Sequence, residues 1–532
     1  MLKQLFASAA LERIRAQGGA FDPETLAALN EIRARHPAWV AGPDDRDDFS
    51  SFSTSSYGPR GNVSTLATVS APELVETALQ LQENQPFENG DVWRKLCSSD
   101  PYRALDGLTA DASKGRWTAE TWRPFLWAAA EAQNPPLQQR LASKLIEMPE
   151  ATLQQILPAA TSWLQRCRLQ LVEIPLGSFG QFLTIWDHLA HLTYVEQQDG
   201  VGADTDSDDI LSAALGEPGG LLAVALFDLA GDLKPHAGEG FRQEIKKRFE
   251  QAITALGRPG LLASAYLLRL LPWLYHIDPT FAACNLVPLL TNPSSNYRSY
   301  WKARLYGEVA GNPTLFNLLK GQILNQFRDP PVAASNAGNL ILAIFLPMLW
   351  KYQNIDGGWD ITQQEIRSAL TAAPAEIRHV GAWQIFSWMI EKEPGQEPSA
   401  ERWTKLFGRL FKGCWPHDVS CRDGAISERL VRAATAAGSA FQDAVSAVLP
   451  VLVPFDIWSI RTISAEPGMG AQLAHQFPGG MLALLNAIVA PEKAKVPNDL
   501  ADLLSVCLSA DRKLEREPNY QRLHSIARRD AA

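Results

Sequence analysis

Apolar side chains recur along this chain at intervals of three and four residues, and alternating runs rich in β-branched residues are nearly absent. Only a helix gathers residues so spaced onto one face, so the pattern commits the chain to helices before anything else is considered. Leu137, Leu141, Leu145 and Met148 form one such stripe, with Gln138, Gln139, Arg140 and Lys144 on the other side. Phe241, Ile245 and Phe249 form another. Start signals punctuate the stripes. Asp22-Pro23 and Asp278-Pro279 place an N-cap acceptor before a proline whose missing N–H costs nothing at the first helical position. Ser70-Ala71-Pro72-Glu73 has the spacing of a capping box, in which serine and glutamate satisfy each other's N–H groups. Roughly twenty helical segments follow from these rules. Val172-Glu173-Ile174 is the best strand candidate, and it is short.

With 532 residues the chain exceeds the ~250–300 at which a single hydrophobic core stops growing. Many short helices joined by Pro/Gly breaks then predict an all-α fold, an irregular α-solenoid of stacked helical hairpins of HEAT/TPR-like type. The alternative is a non-repetitive all-α globule. Leu262 to Leu290 illustrates the unit: an apolar helix with Leu267, Leu268, Leu271 and Trp273, a turn at Ile277-Asp278-Pro279, then Phe281 to Leu290. No strict consensus recurs at the ~40–47-residue period of such repeats. Breaks are expected at Pro37 to Val69, Glu196 to Asp209, Asp329 to Asn339 and Glu391 to Ser399, which are rich in Gly, Pro, Ser, Asn or Asp. They suggest an N-terminal region with a long loop over 1–69, a helical array over 70–335 and a C-terminal array over 336–532.

Lys+Arg total 49 and Asp+Glu 58, a formal net charge of −9, which argues against a dominant cationic surface for nucleic acid. Local patches remain: Arg242, Lys246, Lys247 and Arg248, and Arg512, Lys513 and Arg516. Both are mixed with carboxylates in the way of a solvated face. Six cysteines in this length form no disulfide framework and suit a reducing cytosol. The N-terminus has no convincing secretory signal. The most apolar windows, Leu261 to Ile277 and Asn339 to Trp350, are interrupted or fall short of the ~20 residues a membrane helix needs. A cytoplasmic protein without a membrane span is expected.

No phosphate-binding glycine loop, His-Glu-x-x-His, Gly-x-Ser-x-Gly or Cys-x-x-Cys is present. Cys414-Trp415-Pro416-His417-Asp418 with Cys421 offers zinc-type ligands, or a connecting turn with apolar cysteines. His188 and His191 share a helix face and lack a third ligand. Asp204, Asp206, Asp208 and Asp209 resemble a calcium loop, but Asp209 stands where the turn needs glycine and Leu215 where the bidentate glutamate belongs. No catalytic residue, metal or cofactor is assigned. Of 16 tryptophans, Trp273, Trp350, Trp383 and Trp388 sit beside apolar partners and read as core. Trp359 and Trp415 lie in Gly/Pro loops, where they either anchor a partner or plug the loops onto the array.

Several dispersed segments resemble the helical region of bacterial antiphage defence proteins. They are Tyr57-Gly58-Pro59-Arg60, Ser70-Ala71-Pro72-Glu73-Leu74, Leu211 to Leu222, Ala440 to Val445, His475-Gln476-Phe477-Pro478, Leu484 to Val489 and Glu517 to Leu523. In those proteins the region follows a sirtuin-like NAD-hydrolysing module or a STAND-type signalling NTPase. No such module is expected to precede it here, so the resemblance implies either an effector encoded separately or a changed function. It further implies a non-catalytic interaction or sensor subunit that recognises a phage protein, the effector, or both, with Arg60, Trp359 and Trp415 as candidate partner contacts. The alternative is a nucleic-acid-binding accessory subunit of such a complex.

Overall fold

The computed structural model describes residues 61–529 apart from 86–90, 173–178, 195–209, 309–310, 356, 392–398, most of 458–467 and 491–496, together with isolated positions between 26 and 34. Asp22-Pro23, Arg60, Glu173-Ile174 and the aspartates at 204–209 lie outside the described residues. The described chain is helical throughout and contains no strand. It divides into two compact units, Met1–Gly107 and Leu108–Ala532.

In the first unit the short turn Val63–Leu66 and the helices Ala71–Asn84 and Val92–Ser99 lead into the start of helix Pro101–Ser113. The Arg103 guanidinium donates to the carbonyls of Leu66 and Val69, the latter at 2.8 Å, and so ties the opening turn to that helix. Leu66, Leu74, Trp93, Leu96 and Leu105 are buried. Ser70 does not form the expected reciprocal box. Its hydroxyl donates to the Glu73 carboxylate at 2.9 Å, and its oxygen accepts no helix N–H. A full capping box is found instead at Thr362 and Glu365.

The second unit is a run of helices that pack on their near neighbours in sequence, the solenoid-like arrangement that the periodicity predicts. Its pitch shows in the hydrogen bonds that link one hairpin to the next. Gln181 to Ser143 spans 38 residues, Trp186 to Leu222 36, Phe241 to Asp278 37, Arg258 to Glu217 41, Lys320 to Asp360 40 and Trp403 to Asp443 40. Longer spans of 61 to 64 residues, such as Arg248 to Asp187 and Arg168 to Asp232, all cross 195–209. A repeat is also visible in sequence once the pitch is known. Ala214-Leu215-Gly216-Glu217-Pro218-Gly219 returns 41 positions on as Ala255-Leu256-Gly257-Arg258-Pro259-Gly260.

Prolines set the helix starts and make the helices shorter than periodicity suggests. The expected helix through Leu271 and Trp273 ends at Arg269. Pro272 at the second position of Leu271–Ile277 cannot donate to a carbonyl behind it, so the chain restarts there. Pro288 likewise separates Val287–Thr291 from Pro279–Asn285. Asp278 caps as anticipated, accepting from the Phe281 N–H at 2.9 Å. The break expected over Asp329 to Asn339 is a kink rather than a loop. Helix Pro330–Gln353 runs through it with non-helical angles at Asn336 alone, and closes at Asn354 in the left-handed conformation. Among the described residues no single helix is long and apolar enough to cross a membrane. The pair Ile210–Gly216 and Pro218–Asp232 passes that test only together and is bent by 76°.

Trp273, Trp350 and Trp388 are at least half-buried, but Trp383 is 46 % exposed, contrary to its reading as core. Its apolar neighbours Ala382, Ile385 and Phe386 point inward from helix Ala375–Ile390. Consecutive helix residues point about 100° apart, and Trp383 falls on the outward row with Glu376 and Ile390.

Candidate functional site

Trp359 is 6 % exposed and packs between Phe316 and Trp350, with ring centroids 5.5 and 5.0 Å away. Trp415 is 2 % exposed and stacks on Phe411 at 5.4 Å. Both rings are spent inside the chain's own packing, which is the loop-plugging arrangement. In the turn after Trp415 the groups point apart: Cys414 and Cys421 are buried, while His417 and Asp418 are exposed. Burial pushes the Cys414 thiol up to about 12, so the thiolate a metal would need is disfavoured. The Cys421 thiol faces the Thr371 carbonyl at 3.9 Å. Among the described residues no three His, Cys, Asp or Glu side chains converge as metal ligands. His188 is half-buried with an unpartnered Nε2 and His191 is exposed; the neighbouring Asp187 is taken by Arg248 at 2.8 Å.

The basic cluster at 242–248 is largely engaged with its surroundings. Lys246 pairs with Asp278 at 3.2 Å, Arg248 with Asp187, and the Arg242 guanidinium lies 5.4 Å from the Phe179 ring centroid. That spacing of cations serves the stack and gives little to a polyanion.

The most site-like arrangement lies elsewhere, where helix Ser399–Arg402 opens into the π-helical turn Trp403–Phe407 and continues as Gly408–Cys414. A π-turn widens the helix by a residue, is rare, and often sits at functional positions. Gly408 permits it: a Cβ there would lie 2.8 to 3.0 Å from the Trp403 carbonyl and indole. The turn floors a groove of about 620 Å³, walled by Ala400, Thr404, Gly408, Ser439 and Ala440. Lys405, Arg409 and Lys412 follow at four- and three-residue steps along its rim, on one helix face. Asp443 anchors the opposite wall. It accepts from the Trp403 indole N–H at 2.9 Å and from Lys412 at 2.7 Å, and these donors hold its carboxyl below the ordinary range despite partial burial. Lys405 pairs with Glu401 at 3.1 Å. The Arg409 guanidinium lies 4.3 Å from the Tyr352 ring centroid and, among the described residues, makes no hydrogen bond or ion pair. Tyr352 is itself held, its hydroxyl accepting from Gln363 Nε2 at 2.8 Å.

A second feature is the repeated edge noted above. Leu215 and Leu256, equivalent positions of adjacent repeats, are 49 % and 63 % exposed. The residues two places on, Glu217 and Arg258, join the two edges by a bidentate pair at 2.6 and 2.8 Å. Sequence reasoning missed both features. The cation row reads as an ordinary solvated face because Glu401 opens it, and the edge repeat is too short to stand out without the pitch.

No family model matches the chain, and no solved structure matches it. Among curated proteins it is similar to the uncharacterized protein y4cA of Sinorhizobium fredii (strain NBRC 101917 / NGR234), with 26% identity over 519 residues, 95% of this chain and 41% of that protein. The chain thus spans well under half the length of the curated relative it matches.

Proposed function

We propose that this chain is a non-catalytic interaction unit of a bacterial antiphage defence system, acting in the cytoplasm, which recognises a phage component, a partner effector, or both. The observation that carries the reading is the repeated edge. Large apolar side chains exposed at the same place in successive repeats form the kind of patterned surface that helical arrays use to hold partners. The relative supports it as well, since the whole array aligns within a much longer polypeptide, as expected of a recognition module that works beside other parts. Binding there would shift an effector between states by differential affinity. The test is plating of a phage panel on cells with and without the gene, alongside a Leu215→Glu/Leu256→Glu variant. Exposed positions tolerate such changes with little loss of stability. The gene is expected to lower plaque numbers for at least one phage and the folded variant to lose both that protection and its co-purifying partner; equal plating across the panel overturns the reading.

A further inference from the structure

The groove beside the π-turn carries an inference that goes beyond protein recognition. Its distinguishing feature is Arg409. The guanidinium carbon lies 4.3 Å from the Tyr352 ring centroid, while none of its N–H groups has a polar partner among the described residues. A guanidinium placed beside a ring in this way keeps its planar fork of donors available to the oxygens of a phosphate or carboxylate. Lys405 and Lys412 stand one turn to either side, each already neutralised once, by Glu401 and Asp443. They can therefore add donors without leaving the empty groove as a bare cluster of cations. The Ser439 and Thr404 hydroxyls and the low wall of Ala400, Gly408 and Ala440 complete a lining that is part polar and part apolar. A volume of about 620 Å³ falls within the range of small-molecule sites.

The arrangement also selects against a long acidic peptide. The cation row covers only about two helical turns, and the carboxylates of Glu401 and Asp443 flank it. A run of acidic side chains longer than the row would meet them, whereas a compact anion centred on Arg409 would not. We propose that this groove binds a phosphate-bearing small molecule of nucleotide size, with Arg409 as its anchoring cation and the small-residue wall facing the uncharged part.

The test is equilibrium binding to the full chain by calorimetry, using ATP, inorganic phosphate, adenosine and a glutamate-rich peptide as probes. ATP is expected to bind, adenosine to fail, and affinity to fall with added salt. Inorganic phosphate is expected to bind more weakly than ATP, and phosphate binding as tightly as ATP would overturn the nucleotide-sized ligand. Arg409→Gln removes one charge-assisted contact and is expected to weaken ATP about ten- to a hundredfold. Arg409→Lys, which keeps the charge and loses the fork, is expected to recover part of that. Arg409 is exposed, so an unchanged thermal midpoint in both variants establishes that folding is intact. No binding of either phosphate-bearing probe, binding that Arg409→Gln leaves unaltered, or binding of the glutamate-rich peptide alone overturns the proposal.

Discussion

Single side chains hold the ends of these helices, and two of them show how. Gln138 is completely buried, and all of its main groups are used. Its Nε2 donates to the carbonyls of Ala129 and Ala132 at 2.7 Å each, and its Oε1 accepts from the Trp163 indole at 2.7 Å. Gln138→Leu keeps the volume but strands the buried Trp163 indole N–H, worth about 1–3 kcal/mol when unpaired, while the Ala129 and Ala132 carbonyls keep the N–H groups of Ala132 and Asn134. Denaturant unfolding of this variant is expected to show a loss well above that of a surface change. Asp278 works through charge. Burial pushes its carboxyl up, but the Phe281 and Phe241 N–H groups and Lys246 outweigh that and hold it below the ordinary value. A carboxyl lowered in the folded state stabilises fully above its unfolded pKa, and that contribution is lost as pH falls through the folded value. Asp278→Asn, which can still cap, is expected to lower stability near neutrality and to flatten the acid limb of a midpoint-against-pH curve. An unchanged acid limb would mean that the charge plays no part. The cap itself is legible in Asp278-Pro279, whereas the partners at Phe241 and Lys246, 37 and 32 residues away, are not.

At the scale of elements, the prolines that mark helix starts in the sequence also decide where long apolar runs are cut, as at Pro272 and Pro288. Periodicity alone cannot see this, because the apolar pattern continues across the cut. The π-turn is the opposite case: nothing in Trp403 to Phe407 announces it, and Gly408 is the one local sign. Gly408→Ala is expected to push the Trp403 indole off Asp443, since the added carbon would stand 2.9 Å from the indole nitrogen. The readout is a shift in tryptophan emission together with a lower thermal midpoint. An emission spectrum identical to wild type would show that the turn accommodates a side chain without moving Trp403.

For the second unit as a whole, links between hairpins mostly join residues about one pitch apart, so stability is expected to be a sum of local repeats and their interfaces. Trp359→Ala empties a site between Phe316 and Trp350 and is expected to cost about 3–5 kcal/mol. Hydrogen exchange should quicken around Pro313–Gln326 and the end of Pro330–Gln353, and change little in distant repeats such as Ala119–Glu131. A uniform change along the chain would contradict nearest-neighbour stacking. The all-helical class and much of the helix placement were determined by the sequence itself, because spacing, caps and prolines act within a few residues of one another. The pitch, the burial of Trp359 and Trp415, the outward turn of Trp383 and the lack of a polar partner for Arg409 among the described residues were decided only by tertiary packing. Each depends on which distant helix lies alongside, and a local pattern carries no record of that.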